Sequence, residues 1–240
     1  MPLIPGEQGD ESTTVSVVIP VYNGALLVAE AIESAFAQTL PPLEVIVVDD
    51  GSSDGTADVV RRFDAVHFIQ QPNAGAAAAR NTAIRAASGE FIALLDHDDL
   101  FPAERQERMV AALLAHPGAD YVVGKQRLTL MPGAELPYWL KSTEPAELDR
   151  FRDEHCPGQL MMRRTAFGRV GMFDETMTSR GEDIDWMFRC AEAGLVGVVI
   201  EDDVLIRRLH GANFTMNEAD MRRAMLAALR NRVRRRRQST

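Results

Sequence analysis

The stretch Phe91-Ile92-Ala93-Leu94-Leu95-Asp96-His97-Asp98-Asp99 runs five apolar residues straight into three carboxylates. An apolar run of this length reads as a buried strand, so the acids gather at one strand end. Carboxylates crowded together repel unless a positive group neutralises them, and hard divalent cations that take oxygen ligands are a common solution. The alternative is a solvated acidic turn, with Asp99 capping the helix that follows Pro102. On this stretch alone both readings stand.

A second strand end, Glu44-Val45-Ile46-Val47-Val48-Asp49-Asp50-Gly51-Ser52-Ser53-Asp54-Gly55-Thr56, also runs an apolar strand into two carboxylates. Gly51 and the serines turn the chain, and Asp54 or Thr56 can cap the helix holding Val59 and Val60. Upstream, Val15 to Gly24 reads as a strand, followed by a helical pattern from about Ala25 to Gln38 with Leu27, Ala31, Ile32 and Phe36 inward. Between the acidic segments, Asn73-Ala74-Gly75-Ala76-Ala77-Ala78-Ala79-Arg80-Asn81 predicts a small-residue helix whose Arg80 can meet a phosphate or a carboxylate. Strands alternating with helices predict an α/β fold, and ligands of open α/β sheets sit outside the carboxyl ends of the strands. Both acidic ends would then face one crevice.

These segments resemble family 2 glycosyltransferases, nucleotide-sugar-dependent enzymes of the GT-A fold. The matching residues are Val18-Ile19-Pro20-Val21-Tyr22-Asn23, Val48 to Thr56, Asn73-Ala74-Gly75 with Ala79-Arg80-Asn81, and the DxD-like Asp96-His97-Asp98. Later come Gly171-Met172-Phe173-Asp174-Glu175, Gly181-Glu182-Asp183-Ile184-Asp185-Trp186 and Arg207-Arg208-Leu209-His210. Seven segments in order, from Val15 to Thr215, make accident improbable. The resemblance implies an open mixed sheet flanked by helices, Rossmann-like in its nucleotide-binding half.

It also implies roles. Pro20, Val21 and Tyr22 would hold the nucleotide base, with Tyr22 covering the ring face and Asp50 accepting the N3 proton of uracil. Asp49, pointing to the other face of the strand, would support Asp50. Arg80 would order this region or approach the nucleotide. Asp96 and Asp98 would hold the ribose and a metal bridging the diphosphate; His97 falls inside the donor-binding motif without a role of its own. His210 would complete the metal site with Asp98, and a carboxylate-plus-imidazole set suits Mn²⁺ or Mg²⁺. The competing reading makes His210 a surface residue near Asn213 and Thr215.

Inverting transfer needs a carboxylate to take the acceptor's proton, and Asp183 matches that position, with Glu182 the runner-up as base or as an acceptor-holding group. Asp185 reads as structural at a helix start. Trp186 is a candidate wall of the acceptor pocket, although a large aromatic on an apolar helical face is more often core. The implied donor is a UDP-sugar and the acceptor is left open: glycan, lipid-linked glycan, small metabolite or peptide. A nucleotidyltransferase is the rival enzyme, but the first turn, Pro20-Val21-Tyr22-Asn23-Gly24, has no Lys or Arg for a phosphate loop. A catalytically silent sugar-nucleotide or glycan binding module is the rival of another class, and Asp183 opposite Asp98 argues against it.

The 240 residues, 46% of them hydrophobic, suit one globular domain. Residues 1–13 read as a polar lead-in and 14–216 as the catalytic domain, with a donor half to about 125 and an acceptor half beyond it. The Pro- and acid-rich stretch 132–155 predicts loops around the acceptor, and 159–164 predicts a strand leading into a helix. Cys156 and Cys190 read as reduced thiols, and His155 has no nucleophile partner in the pattern. No apolar run is long enough to span a bilayer, which leads to the expectation of a cytoplasmic protein. The net charge of −9 conceals an asymmetry: residues 221–240 hold eight arginines and no acid. Within the 217–240 tail, Met221, Met225, Leu229 and Val233 predict an amphipathic helix. It could dock on the acidic body, contact a membrane peripherally at its inner face, or meet an acidic partner. Nucleic-acid binding is not expected, since no recognised motif accompanies the arginines.

Overall fold

The computed structural model describes residues 13–141, 156–177, 181–211, 213 and 218–238. Residues 1–12 of the expected lead-in, His155, Thr215 and most of the 132–155 loop region therefore lie outside the described residues. Among the described residues, seven strands form one sheet in the order β3-β2-β1-β4-β6-β5-β7. They are β1 (Val15–Val21), β2 (Glu44–Asp49), β3 (Val66–Gln70), β4 (Phe91–Leu94), β5 (Tyr121–Leu130), β6 (Leu160–Arg163) and β7 (Gly197–Leu209). β1 to β4 are mutually parallel, whereas β6 runs antiparallel to both β4 and β5. The expected open mixed sheet is the observed one.

The period of two along the central strands assigns side chains to two cores. Val17, Ile19, Val45 and Val47 pack on one face with Ala31, Ile32 and Ala35 of α1 (Val28–Phe36) and Met109, Val110 and Leu113 of α4 (Arg105–Ala115). Val18, Ile46 and Val48 pack on the other with Ala79, Ala83 and Ile84 of α3 (Ala76–Ala86) and with Phe173 and Trp186. Strands buried on both faces explain why they read as continuous apolar runs. Pro20 is tolerated in a central strand because β4 pairs with β1 only as far as Val18, so the missing N–H breaks no bond to β4.

Three local expectations are corrected. In α1 the buried stripe is Val28, Ala31, Ile32 and Ala35, while Phe36 is 37% exposed; the helix starts later than expected and its inward face is rotated away from Leu27 and Phe36. At α2 (Thr56–Val60) the cap position is Gly55, at φ 90°, rather than Asp54 or Thr56. Asp54 instead accepts Ala25 N–H (3.0 Å) and Thr56 N–H (3.1 Å), and Thr56 Oγ1 accepts Gly24 N–H (2.9 Å). The loop after β2 is thereby laced to the loop after β1. Asp99 does not cap α4 either, as described below.

The later elements are α5 (Thr165–Val170), α6 (Glu182–Glu192) and α7 (Glu218–Gln238). Trp186 on α6 is 2% exposed, stacks near Phe167 and Phe173 with centroids 5.1 and 5.5 Å away, and donates Nε1–H to Gly171 O at 2.9 Å. Arg189 reaches back to Val170 O (3.0 Å) and Met172 O (2.8 Å), which fixes α6 against the preceding loop. α7 lies on α6: Ala224 and Ala228 are buried, Arg235 bonds Asp185 (2.7 Å) and Glu192 (2.9 Å), and Arg232 pairs with Glu192 at 3.3 Å. Asp185 is structural, as expected. The tail docks on the body through its alanines, and Met225, Leu229 and Val233 of the predicted amphipathic helix are exposed.

Gly181 starts α6 at φ 88°, and a Cβ there would sit 2.9 Å from Ala224 O. Backbone conformation and the close approach of α7 both demand glycine. Gly181→Ala is expected to destabilise the chain by about 1–3 kcal/mol, a fall in Tm of roughly 2–12 °C for a chain of this size. Thermal denaturation of the two proteins checks it.

Candidate active site

Because β1, β2 and β4 are parallel and adjacent, their carboxyl ends open on the same edge of the sheet. Tyr22, 50% exposed, follows β1; Asp49 and Asp50 close β2; and the acidic cluster follows β4. Pro20 and Val21 are buried, and Val21 O accepts Asp50 N–H at 2.9 Å, so of this trio Tyr22 is the side chain open to a ligand. Asp49 accepts Ser52 N–H (2.9 Å) and Gln70 Nε2 (3.1 Å), which ties the turn after β2 to the end of β3. Asp50 accepts Ala74 N–H (2.9 Å), Gly75 N–H (2.8 Å) and Gln71 Nε2 (2.7 Å). Its carboxylate therefore holds the loop that enters α3, a task with no local signature in the sequence. His97 packs on the backbone of the first turn: a Cβ on Gly24 would meet its Cδ2 at 2.3 Å.

Arg80 is 7% exposed and reaches two carboxylates from different parts of the chain, Asp96 Oδ1 at 2.8 Å and Glu182 Oε1 at 2.7 Å. Of the roles open to it, the one observed is to order the site. Burial alone would lower the Arg80 pKa, but Asp96, Glu182 and Asp183 outweigh it and fix the guanidinium in its charged form. A buried ion pair with Glu182 and a part-buried one with Asp96, on one guanidinium, join the end of β4 to the start of α6.

Asp96, Asp98 and Asp99 offer carboxylate oxygens within 4.8 Å of one another, a donor set that fits a hard divalent cation. β7 brings the remaining residues. An antiparallel bridge between Leu100 and Ile206 carries β7 alongside the segment leaving the cluster, so that Arg208 N–H donates to Asp99 Oδ1 (2.9 Å) and Arg208 Nε to Asp98 O (2.5 Å). One residue beyond the strand, His210 Nε2 lies 3.1 Å from Asp98 Oδ2, and Asn213 Nδ2 lies 3.2 Å from the same oxygen. His210 thus sits beside the acidic cluster with Asp98, as the metal-site reading requires. Burial works against ionised Asp98, yet the hydrogen bond from His210 and the His97 and His210 rings hold its carboxyl below the usual value. Asp99 is driven the other way: burial first, then Asp98 and Asp96, push it well up.

Of the two readings of the acidic run, Asp99 follows the cluster and not the cap, and its burial under β7 is a tertiary fact with no local signature. Asn213 passed as a neighbour of a surface histidine, and its spacing from His210 was the available signal.

On α6, Asp183 faces a cavity of about 290 Å³ lined by Leu94, Leu160, Met162, Phe173, Trp186 and Met187, among others. Burial and then Glu182 push the Asp183 carboxyl above its ordinary value, with Arg80 opposing them. Trp186 belongs mainly to the core and lends only part of its ring to this cavity. Cys156 lines the cavity; burial pushes its thiol up to about 12, and like Cys190 it is free.

A family model described as glycosyl transferase family 2 matches residues 16–174. Glycosyltransferase RT0329 of Rickettsia typhi, itself uncharacterized, is 31% identical over 221 residues, covering 87% of this chain and 68% of that protein. Glycosyltransferase AglE of Haloferax volcanii is 33% identical over 190 residues, covering 75% and 62%. The structure of S. aureus TarS 1–349 in complex with UDP aligns with a TM-score of 0.66 at 24% identity, covering 88% of this chain and 63% of that one. The mannosyltransferase PcManGT from Pyrobaculum calidifontis, in complex with GDP-Man and Mn²⁺, aligns with a TM-score of 0.69 at 23% identity, covering 92% and 64%. At these identities the two structures establish the shared fold alone. The chain spans less than two thirds of AglE and of both solved chains.

With divalent cations chelated, Asp99→Asn is expected to raise stability at neutral pH. The native carboxyl, its pKa raised, binds protons that the unfolded chain has released. Wild-type stability therefore falls as pH rises from about 4 through the raised value, and the amide removes that loss while keeping an acceptor for Arg208 N–H. Melting temperatures of both proteins in EDTA from pH 4 to 8 check the sign.

Proposed function

The chain belongs to glycosyltransferase family 2, and on that footing we propose that it transfers a sugar with inversion from a UDP-sugar to an acceptor hydroxyl in a metal-dependent reaction. One observation carries the reading: Arg80 bonds both Asp96, beside the candidate cation ligands, and Glu182, next to the candidate base. Charge neutralisation and proton removal are then held at a fixed separation.

Asp98 and His210 would hold a divalent cation, Mn²⁺ or Mg²⁺, with Asp96 and Asp99 alongside. When bound, such an ion neutralises charge on the departing diphosphate. Tyr22 covers the uracil, Asp50 shapes the loop beneath it and offers the base an acceptor, and Asp96 holds the ribose. Asp183 accepts the acceptor's hydroxyl proton as that oxygen bonds to the anomeric carbon and the opposite carbon–oxygen bond to diphosphate breaks. Its raised pKa suits it to this work, since a carboxylate of ordinary pKa is a weaker base. Glu182 is committed to Arg80 at 2.7 Å, which favours Asp183 over it as the base. The cavity beside Asp183 receives the acceptor. TarS with UDP and PcManGT with GDP-Man and Mn²⁺ support a nucleoside-diphosphate donor and a cation, and the first of them favours uracil.

Asp183→Asn is expected to leave UDP binding unchanged while lowering turnover of donor by roughly 10²–10⁴-fold. A thermal-shift panel of UDP, GDP, CDP and dTDP with Mn²⁺ or EDTA reads the first half, and nucleotide release from UDP-sugars reads the second. Stabilisation by UDP only with Mn²⁺ supports the donor assignment. Undiminished turnover in the variant would move the base to Glu182.

A further inference from the structure

Docking gives α7 two unlike faces, each carrying both arginines and apolar residues. The face toward the body consists of small or engaged residues, Ala224, Ala228, Arg232 and Arg235, with the two arginines neutralised by Asp185 and Glu192. The large apolar residues lie outside: Met225 is 43% exposed, Leu226 50%, Leu229 39% and Val233 49%. At 100° per residue, Leu226, Leu229 and Val233 fall within one stripe pointing away from the Ala224–Ala228 face, with Met225 at its margin. Arg230 and Arg234 run along one side of the stripe, Arg222 lies at its start and Arg237 near its end; Leu226, Leu229, Arg230, Val233, Arg234 and Arg237 line a shallow surface groove.

We propose that this outward face of α7 is a peripheral membrane-binding surface for anionic lipid bilayers. The chemistry matches on both counts. Four adjacent aliphatic side chains can enter the headgroup–acyl boundary, and arginines can lay their stems along that layer while their guanidinium groups reach lipid phosphates. Residues 221–240 carry no acid, so the face is complementary to an anionic surface. A second copy of this chain fits poorly, because a two-fold contact through this face would bring arginine against arginine. No described helix is long and apolar enough to cross a membrane, so the contact is with the surface of the bilayer. Membrane contact and docking on the body, alternatives when the tail is read as sequence, are then duties of opposite faces of one helix.

The test is sedimentation of the full chain with sucrose-loaded vesicles of phosphatidylcholine alone or with 30% phosphatidylglycerol, at about 0.1 M salt. The variants are Leu226→Gln/Leu229→Gln/Val233→Gln and Arg230→Gln/Arg234→Gln. These side chains are exposed, so both variants should melt within a few degrees of wild type, which separates loss of binding from loss of fold. The expected result is at least tenfold stronger partitioning to the anionic vesicles and at least a fivefold loss in each variant. Equal partitioning to both vesicle types, or none, would overturn the proposal. Full retention of vesicle binding by the glutamine triple variant would also overturn it, since charge alone would then suffice and an acidic protein or other polyanion would be the better occupant.

Discussion

One buried guanidinium holds the candidate site together. Arg80 leaves α3 between the two halves of the chain and bonds Asp96 on one side and Glu182 on the other. Removing Arg80 would strip the buried Glu182 carboxylate of this partner, a kind of loss that costs about 3–5 kcal/mol. Most of what surrounds it depends on that bridge. Asp96 is drawn toward α3, so that Asp98 and Asp99 stand on the far side of the turn, where β7 delivers Arg208, His210 and Asn213. Glu182 is occupied, so the next residue, Asp183, is the carboxylate left facing the cavity.

The sheet supplies the frame for that bridge. Parallel β1, β2 and β4 bring three strand ends to one edge, where Asp49 and Asp54 organise the loops and Asp50 commits most, but not all, of its acceptor capacity to them. Beyond β4 the sheet turns antiparallel through β6, and the long β7 then returns along the acidic cluster. Different carboxylates thus have different duties according to their surroundings. Asp98 is held ionised by imidazoles, Asp99 is pushed toward its protonated form by burial and its neighbours, and Asp183 is raised by burial beside Glu182.

Much of this was legible in the residues. The apolar runs ending at Asp49-Asp50 and Asp96-His97-Asp98 announced parallel strands with a ligand edge, and the family segments marked Arg80, Asp183 and His210. What could not be read was decided by tertiary contacts. Asp50 looked free for a base, but the loop entering α3 claims most of its lone pairs. Asp99 looked like a helix cap, and only the arrival of β7 buries it. In the tail, the apolar period marked an amphipathic helix without saying which side docks, and close packing on Gly181 admits the alanine side. Hydrophobic periodicity reports that a helix has two faces, not which of them meets the body.

Donor binding and charge neutralisation both converge on the cation site. The most direct test of that site is an electron paramagnetic resonance titration of Mn²⁺ into the full chain in the presence of UDP, with Asp98→Ala and His210→Ala alongside. One bound Mn²⁺ per chain is expected in the wild type, with a loss of affinity of tenfold or more in each variant. Unchanged Mn²⁺ binding in both variants, or none in the wild type, would contradict the assignment of that site.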